Sequence, residues 1–200
     1  LFLPQTLADF TALQSPNASE AARQSRLVVG PWIHALSNST RTGEIDFGFH
    51  SLQDLNTLHI QWFKRWLKGQ EESTSQETPV KLFIMGINEW HEEQEWPIER
   101  TQWQKWYLHS GGRANSVLGD GGFSPEPPEA EEPDQFVYDP RYPVQTLGGA
   151  NCCNPDIVPW GPYDQRDAEM RGDVLCYTST PLDADLEVTG SIRAVLHAAT

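Results

Sequence analysis

The chain has 200 residues, 38% of them hydrophobic, and a formal charge of −14 from 14 Lys and Arg against 28 Asp and Glu. That acidity repels phosphate backbones and anionic lipid surfaces, so neither nucleic acid nor a membrane is expected as a partner. No apolar run approaches the roughly 18 residues that cross a bilayer, and Leu1-Phe2-Leu3 has neither the charged start nor the cleavage site of a signal peptide.

Eight Trp supply bulk for a core, while 15 Pro and 15 Gly favour turns and short strands. The three cysteines are Cys152, Cys153 and Cys176. An odd count without CxxC spacing is neither a disulfide framework nor a zinc site. Free thiols in a reducing, cytoplasmic setting are expected, with a vicinal Cys152–Cys153 bridge as the alternative.

In chain order, residues 4–14 predict a short helix, with Leu7, Phe10 and Leu13 at spacing three and Pro4 near its start. Residues 15–25 read as a polar linking stretch. Arg26 to Gly30 reads as a brief buried strand, apolar, β-branched and stopped by Gly30-Pro31. Residues 51–68 predict a longer helix with Leu52, Leu55, His59, Trp62, Phe63, Trp66 and Leu67 on one face. Lys64, Arg65 and Lys68 suit its C-terminal dipole, and Gly69 can cap it. Residues 71–78 are polar and predict a linker between a segment 1–70 and a segment 79–200.

Past Pro79 the grammar becomes all-β. Strands are expected at 80–85, 106–108, 173–178, 186–190 and 191–197, with a long surface loop over 111–135. The chain stops on an apolar stretch without a closing turn, which suggests that this β domain is cut short.

The sharpest chemical feature is Gly30-Pro31-Trp32-Ile33-His34. In open α/β sheets, working residues lie just past the C-terminal ends of strands, where a histidine can shuttle a proton between a serine and a leaving group. A loop histidine that caps a backbone group is the plainer alternative. Partners for His34 are not evident. Asp9, the only Asp upstream of it, reads as a solvated helix residue. No Gly-x-Ser-x-Gly elbow occurs, and Ser116, Ser124 and Ser191 lack its strand-turn-helix context.

His59 reads as a core residue of the longer helix. His91 beside Glu92-Glu93 lacks the i, i+4 pair of a metalloprotease helix, so no metal is expected there. His50, His109 and His197 are isolated. Glu92, Glu93 and Glu95 crowd one loop and read as a solvated edge, not a glycosidase pair. Trp90, Trp96, Trp103 and Trp106 allow either a sugar-stacking platform or packing between domains.

Seven segments in order carry a resemblance. They are LFLPQTLADF (1–10), RLVVGPWIH (26–34), WFKRWLKG (62–69), PVKLFIMGINEW (79–90), YDPRYPVQTLGG (138–149), DQRDAEMRGDVLCYTSTPL (164–182) and LEVTGSIRAVLHA (186–198). With these the chain resembles the cocaine-esterase and X-Pro dipeptidyl-peptidase family of serine hydrolases. Lys64 stands where the family more commonly has Asp.

The resemblance implies the C-terminal part of an α/β-hydrolase domain in residues 1–70. It also implies a β jelly-roll, galactose-binding-like domain in 79–200, with the whole incomplete at both ends. It implies that His34 is the histidine of a Ser-Asp-His triad and that Trp32 supports it structurally. The aspartate would directly precede the LFLP-like stretch, and the serine elbow, cap and oxyanion hole would lie further upstream. The implied partner is a small ester or peptide substrate, with no cofactor, and homo-oligomers are compatible with it. A non-catalytic carbohydrate-binding β-sandwich is the rival from another functional class.

Overall fold

The structure is a computed structural model that describes residues 2–34, 39–70, 78–152 and 154–200. Helix α1 (Leu3–Leu13) has Pro4 in its first turn and buries Phe10, the middle residue of its apolar spacing. The polar stretch that follows contains a short helix, α2 (Glu20–Arg23), where the Ser19 side chain accepts the Ala22 N–H as an N-cap. Strand β1 (Leu27–Val29) comes next, then the small hairpin of β2 (Arg41–Thr42) and β3 (Ile45–Asp46).

Helix α3 (Leu55–Lys68) begins later than its sequence pattern predicts. Asp54 sets the start: its carboxylate accepts the Thr57 N–H at 3.0 Å and the Thr57 hydroxyl at 2.6 Å. Phe49–Ser51 is a separate 3-10 turn. At the other end Gly69 takes the left-handed conformation, φ 61, and caps the helix as expected.

Strands β4 (Val80–Ile84) and β5 (Glu89–Glu93) form an antiparallel hairpin. β1 adds to the other side of β4 in parallel register, Leu27 opposite Val80 and Val29 opposite Leu82, giving the order β1-β4-β5. This sheet joins segments on either side of the predicted linker, of which residues 71–77 lie outside the described residues.

The pleat gives this sheet two different faces. Val80, Leu82 and Ile84 lie on one and pack with Leu27, Val29, Phe10 of α1 and Ile98. Phe83 lies on the other, against the rings of Phe47 at 5.9 Å and Trp90 at 5.3 Å.

Farther along, β6 (Tyr107–His109) pairs antiparallel with β7 (Gly122–Ser124). β7 lies inside the stretch expected to be loop, where Gly and Pro density conceals a short strand. Segment 173–178 does not form the expected strand. It runs beside residues 114–122 through two isolated bridges, Asn115–Leu175 and Gly122–Thr178, just past the short helix α4 (Arg166–Glu169). Residues 186–190 and 191–197 are likewise not strands: they alternate apolar and polar side chains, but no ladder partner meets their backbone among the described residues, and nearly all are exposed.

Candidate functional site

His34 follows β1 by five residues, at the strand's C-terminal end. Within the intervening turn the Trp32 N–H donates to the Gly30 carbonyl at 2.8 Å. The Thr42 hydroxyl, from β2, donates to the Pro31 carbonyl at 2.7 Å. Gly30 is needed here for space: a Cβ on it would stand 2.5 Å from Cζ2 and 2.9 Å from Cδ2 of the Trp32 indole.

That indole continues into a row of rings. Trp32 and Trp90 of β5 lie 6.0 Å apart, and Trp90 meets Phe83, which meets Phe47. Trp90 is held further by its indole N–H, which donates to the His50 carbonyl at 2.6 Å, and by Lys81, whose ammonium lies 5.3 Å from its ring. The turn bearing His34 is therefore tied to the sheet face opposite the α1 core. The His34 side chain is exposed, with the Phe2 ring 5.5 Å away at a tilt of 58°. A depression of about 480 Å³ opens elsewhere, between Leu147, Gly161, Tyr163 and Ala168.

The structure also gathers residues that look like a triad and that their sequence separation hides. His109 Nδ1 lies 2.8 Å from Glu131 Oε1, and its Nε2 lies 3.2 Å from Ser124 Oγ. However, Nε2 is closer to the Glu126 carbonyl, at 2.9 Å. Both ring nitrogens thus face acceptors, which suits an imidazolium donating from each. The hydrogen bond with Glu131 raises the His109 pKa accordingly. A general base needs a free lone pair, so this histidine is a clasp between β6 and the 126–131 loop and does not activate Ser124.

Asp134 anchors the same region. It accepts the Tyr177 hydroxyl at 2.6 Å, the Ser110 hydroxyl at 2.7 Å and the Ala114 N–H at 2.8 Å. Burial pushes its pKa up, but these donors together hold it below the usual carboxylate value. Burial, then the bond to Asp134, pushes Tyr177 up to about 12.

The other sequence candidates separate. Asp9 is exposed on α1 and accepts from Gln5. His59 is exposed on α3, not buried as expected, because the apolar face of that helix is itself largely uncovered. His91 sits in β5 opposite Leu82, and no cluster that could hold a metal occurs among the described residues. Glu92 and Glu93 belong to a strand, not to a loop edge. Glu93 is buried and pairs through both oxygens with Arg100 at 2.5 Å, and that hydrogen bonding lowers its pKa. The charged run Glu89–Glu93 hides this strand from hydrophobic patterning.

The four tryptophans do not form one platform. Trp90 packs on Trp32 and Phe83, Trp96 on the α1 core, and Trp106 on Phe123, while Trp103 is exposed. Ser116 and Ser124 are half-buried in loop and hairpin, and Ser191 and His197 are exposed. Cys152 is disulfide-bonded, so the free-thiol reading fails there and with it the argument for a reducing compartment; Cys176 is a free thiol. Cys153 lies outside the described residues.

Residues 73–200 match the model of the X-Pro dipeptidyl-peptidase C-terminal non-catalytic domain. The chain is 38% identical over 200 residues to the cocaine esterase of Rhodococcus sp. (strain MB1 Bresler), covering 98% of this chain and 33% of that protein. It is 28% identical over 181 residues to proteins of Mycobacterium bovis and Mycobacterium tuberculosis that carry the provisional name serine esterase, covering 86% of this chain and 25% of each. The chain thus spans between a quarter and a third of the length of these curated relatives. The seven segments, the match over 73–200 and the near-complete alignment agree: the chain belongs to the cocaine esterase / X-Pro dipeptidyl-peptidase family.

Proposed function

We propose that the protein to which this chain belongs is a serine hydrolase that cleaves an ester or amide bond by a Ser-Asp-His triad, with His34 as its histidine. The observation that carries this reading is the position of His34, past the C-terminal end of β1 and beyond a Gly-Pro turn. The Phe2 ring against the imidazole brings the LFLP-like stretch to His34, which is where the resemblance puts the aspartate's neighbourhood. Names of relatives as esterases support a hydrolase as the coarser activity.

In this reading His34 takes the proton of the attacking serine as the serine oxygen bonds to the carbonyl carbon, which becomes tetrahedral, before the acyl–oxygen or acyl–nitrogen bond breaks. It then gives that proton to the leaving alcohol or amine, and repeats the exchange with water to free the acid. The aspartate holds the imidazole in the tautomer with a lone pair toward the serine. Residues 1–70 contribute the C-terminal part of an α/β-hydrolase domain. Residues 79–200 contribute a jelly-roll domain that makes no bond to substrate and braces the catalytic domain.

Hydrolysis of a p-nitrophenyl ester and of an X-Pro anilide tests this in the whole protein. His34→Ala should lower kcat by about 10⁴-fold or more, as loss of a triad member does. The isolated 200-residue chain should be inactive. The preferred substrate separates esterase from dipeptidyl-peptidase, and an unaffected His34→Ala variant would remove His34 from the mechanism.

A further inference from the structure

The family model covering residues 73–200 describes a non-catalytic domain, yet one residue of that region reaches the turn that carries His34. We infer that Trp90 is a positioning residue for His34, acting through Trp32. The inference rests on the role proposed for His34.

Three observations carry it. First, the Trp90 and Trp32 rings lie 6.0 Å apart at 46°, within the range of attractive aromatic pairs. Trp32 is two residues from His34, and its N–H closes the Gly30 turn. Second, Trp90 is itself fixed from several sides. Its indole donates to the His50 carbonyl at 2.6 Å, Phe83 meets it edge-on at 5.3 Å, and the Lys81 ammonium lies 5.3 Å from its ring. A ring so constrained transmits position instead of yielding to its neighbour. Third, the hydrogen-bonded sheet favours this contact. β1 pairs directly with β4, and β4 with β5, so the strand that launches the His34 turn and the strand that carries Trp90 belong to one sheet.

The consequence concerns the chemical step more than binding. A histidine that must meet both a serine and a leaving group loses rate steeply when its approach shifts by a fraction of an ångström. Substrate affinity, set elsewhere, should change little.

The test uses the whole protein with Trp90→Phe, Trp90→Leu and His34→Ala, assayed on a p-nitrophenyl ester with thermal transitions recorded alongside. Trp90→Leu should lower kcat by about 10- to 100-fold while KM stays within about threefold. Trp90→Phe keeps a ring against Trp32 but loses the bond to His50, so it should be intermediate, with kcat about three- to fivefold below the parent and KM unchanged. The Leu variant should also displace the acidic limb of the kcat/KM pH profile, which a change in stability alone would not do.

A Trp90→Leu enzyme that folds and keeps kcat within about twofold of the parent, while His34→Ala is inactive, overturns the inference and leaves the hydrolase reading standing. An active His34→Ala enzyme overturns both. Where Trp90→Leu does not fold, Trp90→Phe decides: a kcat about threefold or more below the parent at constant KM supports the relay, and an unchanged kcat refutes it.

Discussion

At the scale of single residues, the turn before His34 depends on an absence of side chain. Trp32 fills the space that a Cβ on Gly30 would need, and the same indole packs 6.0 Å from the Trp90 ring. Gly30→Ala must therefore displace the Trp32 indole and disturb its packing on Trp90. In the whole protein it should lower kcat on a p-nitrophenyl ester in the same direction as Trp90→Leu, with KM nearly constant. His109 gives a pH-dependent counterpart away from this turn. The Glu131 hydrogen bond raises its pKa above the ordinary histidine value of 6.5. Its stabilising contribution is therefore complete below about pH 6.5 and is lost as pH rises through the higher folded value. His109→Gln should remove that part of the pH dependence of the melting temperature while leaving esterase activity unchanged. A variant that melts with the parent's pH profile would show that the clasp contributes nothing.

At the scale of elements, β4 is the strand on which the rest is built. It alone pairs on both sides within its sheet and sends Val80 and Leu82 to one face and Phe83 to the other. Leu82 is 4% exposed in the α1 core, so Leu82→Ala should cost about 2–5 kcal/mol, read as a lowered thermal or urea transition of the whole protein. An equal substitution on α3 should cost far less, since Leu67 is 78% exposed there. The contrast separates strength of pattern from strength of packing. α3 has the stronger amphipathic signal in sequence, yet β4, with 5 residues against 14, holds the core.

At the scale of the whole molecule, much apolar surface is left uncovered among the described residues, including one helix face and the last stretch of chain. Ile60, Phe63, Trp66 and Leu67 of α3 are exposed, as are Ile192, Val195 and Leu196 in the last residues. Surfaces of that kind recruit other chains. The isolated 200-residue chain should therefore bind a dye that reports exposed apolar patches and should associate as its concentration rises. A monomeric, cooperatively melting chain without dye binding would contradict this. Much of the local order was nonetheless legible. α1, β1, the Gly69 cap of α3 and β4 follow from apolar spacing, β-branched residues and glycine, because those signals act over a few residues. β5 was not, since its charged run masks the pattern and its one buried carboxylate, Glu93, is satisfied by Arg100 from outside the strand. Strands 186–190 and 191–197 were over-read for the converse reason, since alternation gives a segment the propensity for a sheet but only a partner backbone makes it a strand, while 173–178 meets its partner 114–122 only at isolated bridges.

The sequence by itself determined the family, through seven ordered segments, and singled out His34 through the Gly-Pro turn that ends β1. Both are properties of contiguous residues. Only the tertiary structure decided that β1 pairs with β4 across the intervening chain, that Trp90 closes on Trp32, and that Ser124, His109 and Glu131 meet without making a working base. Each of these depends on which distant groups share one small volume, and on which acceptor reaches a ring nitrogen first.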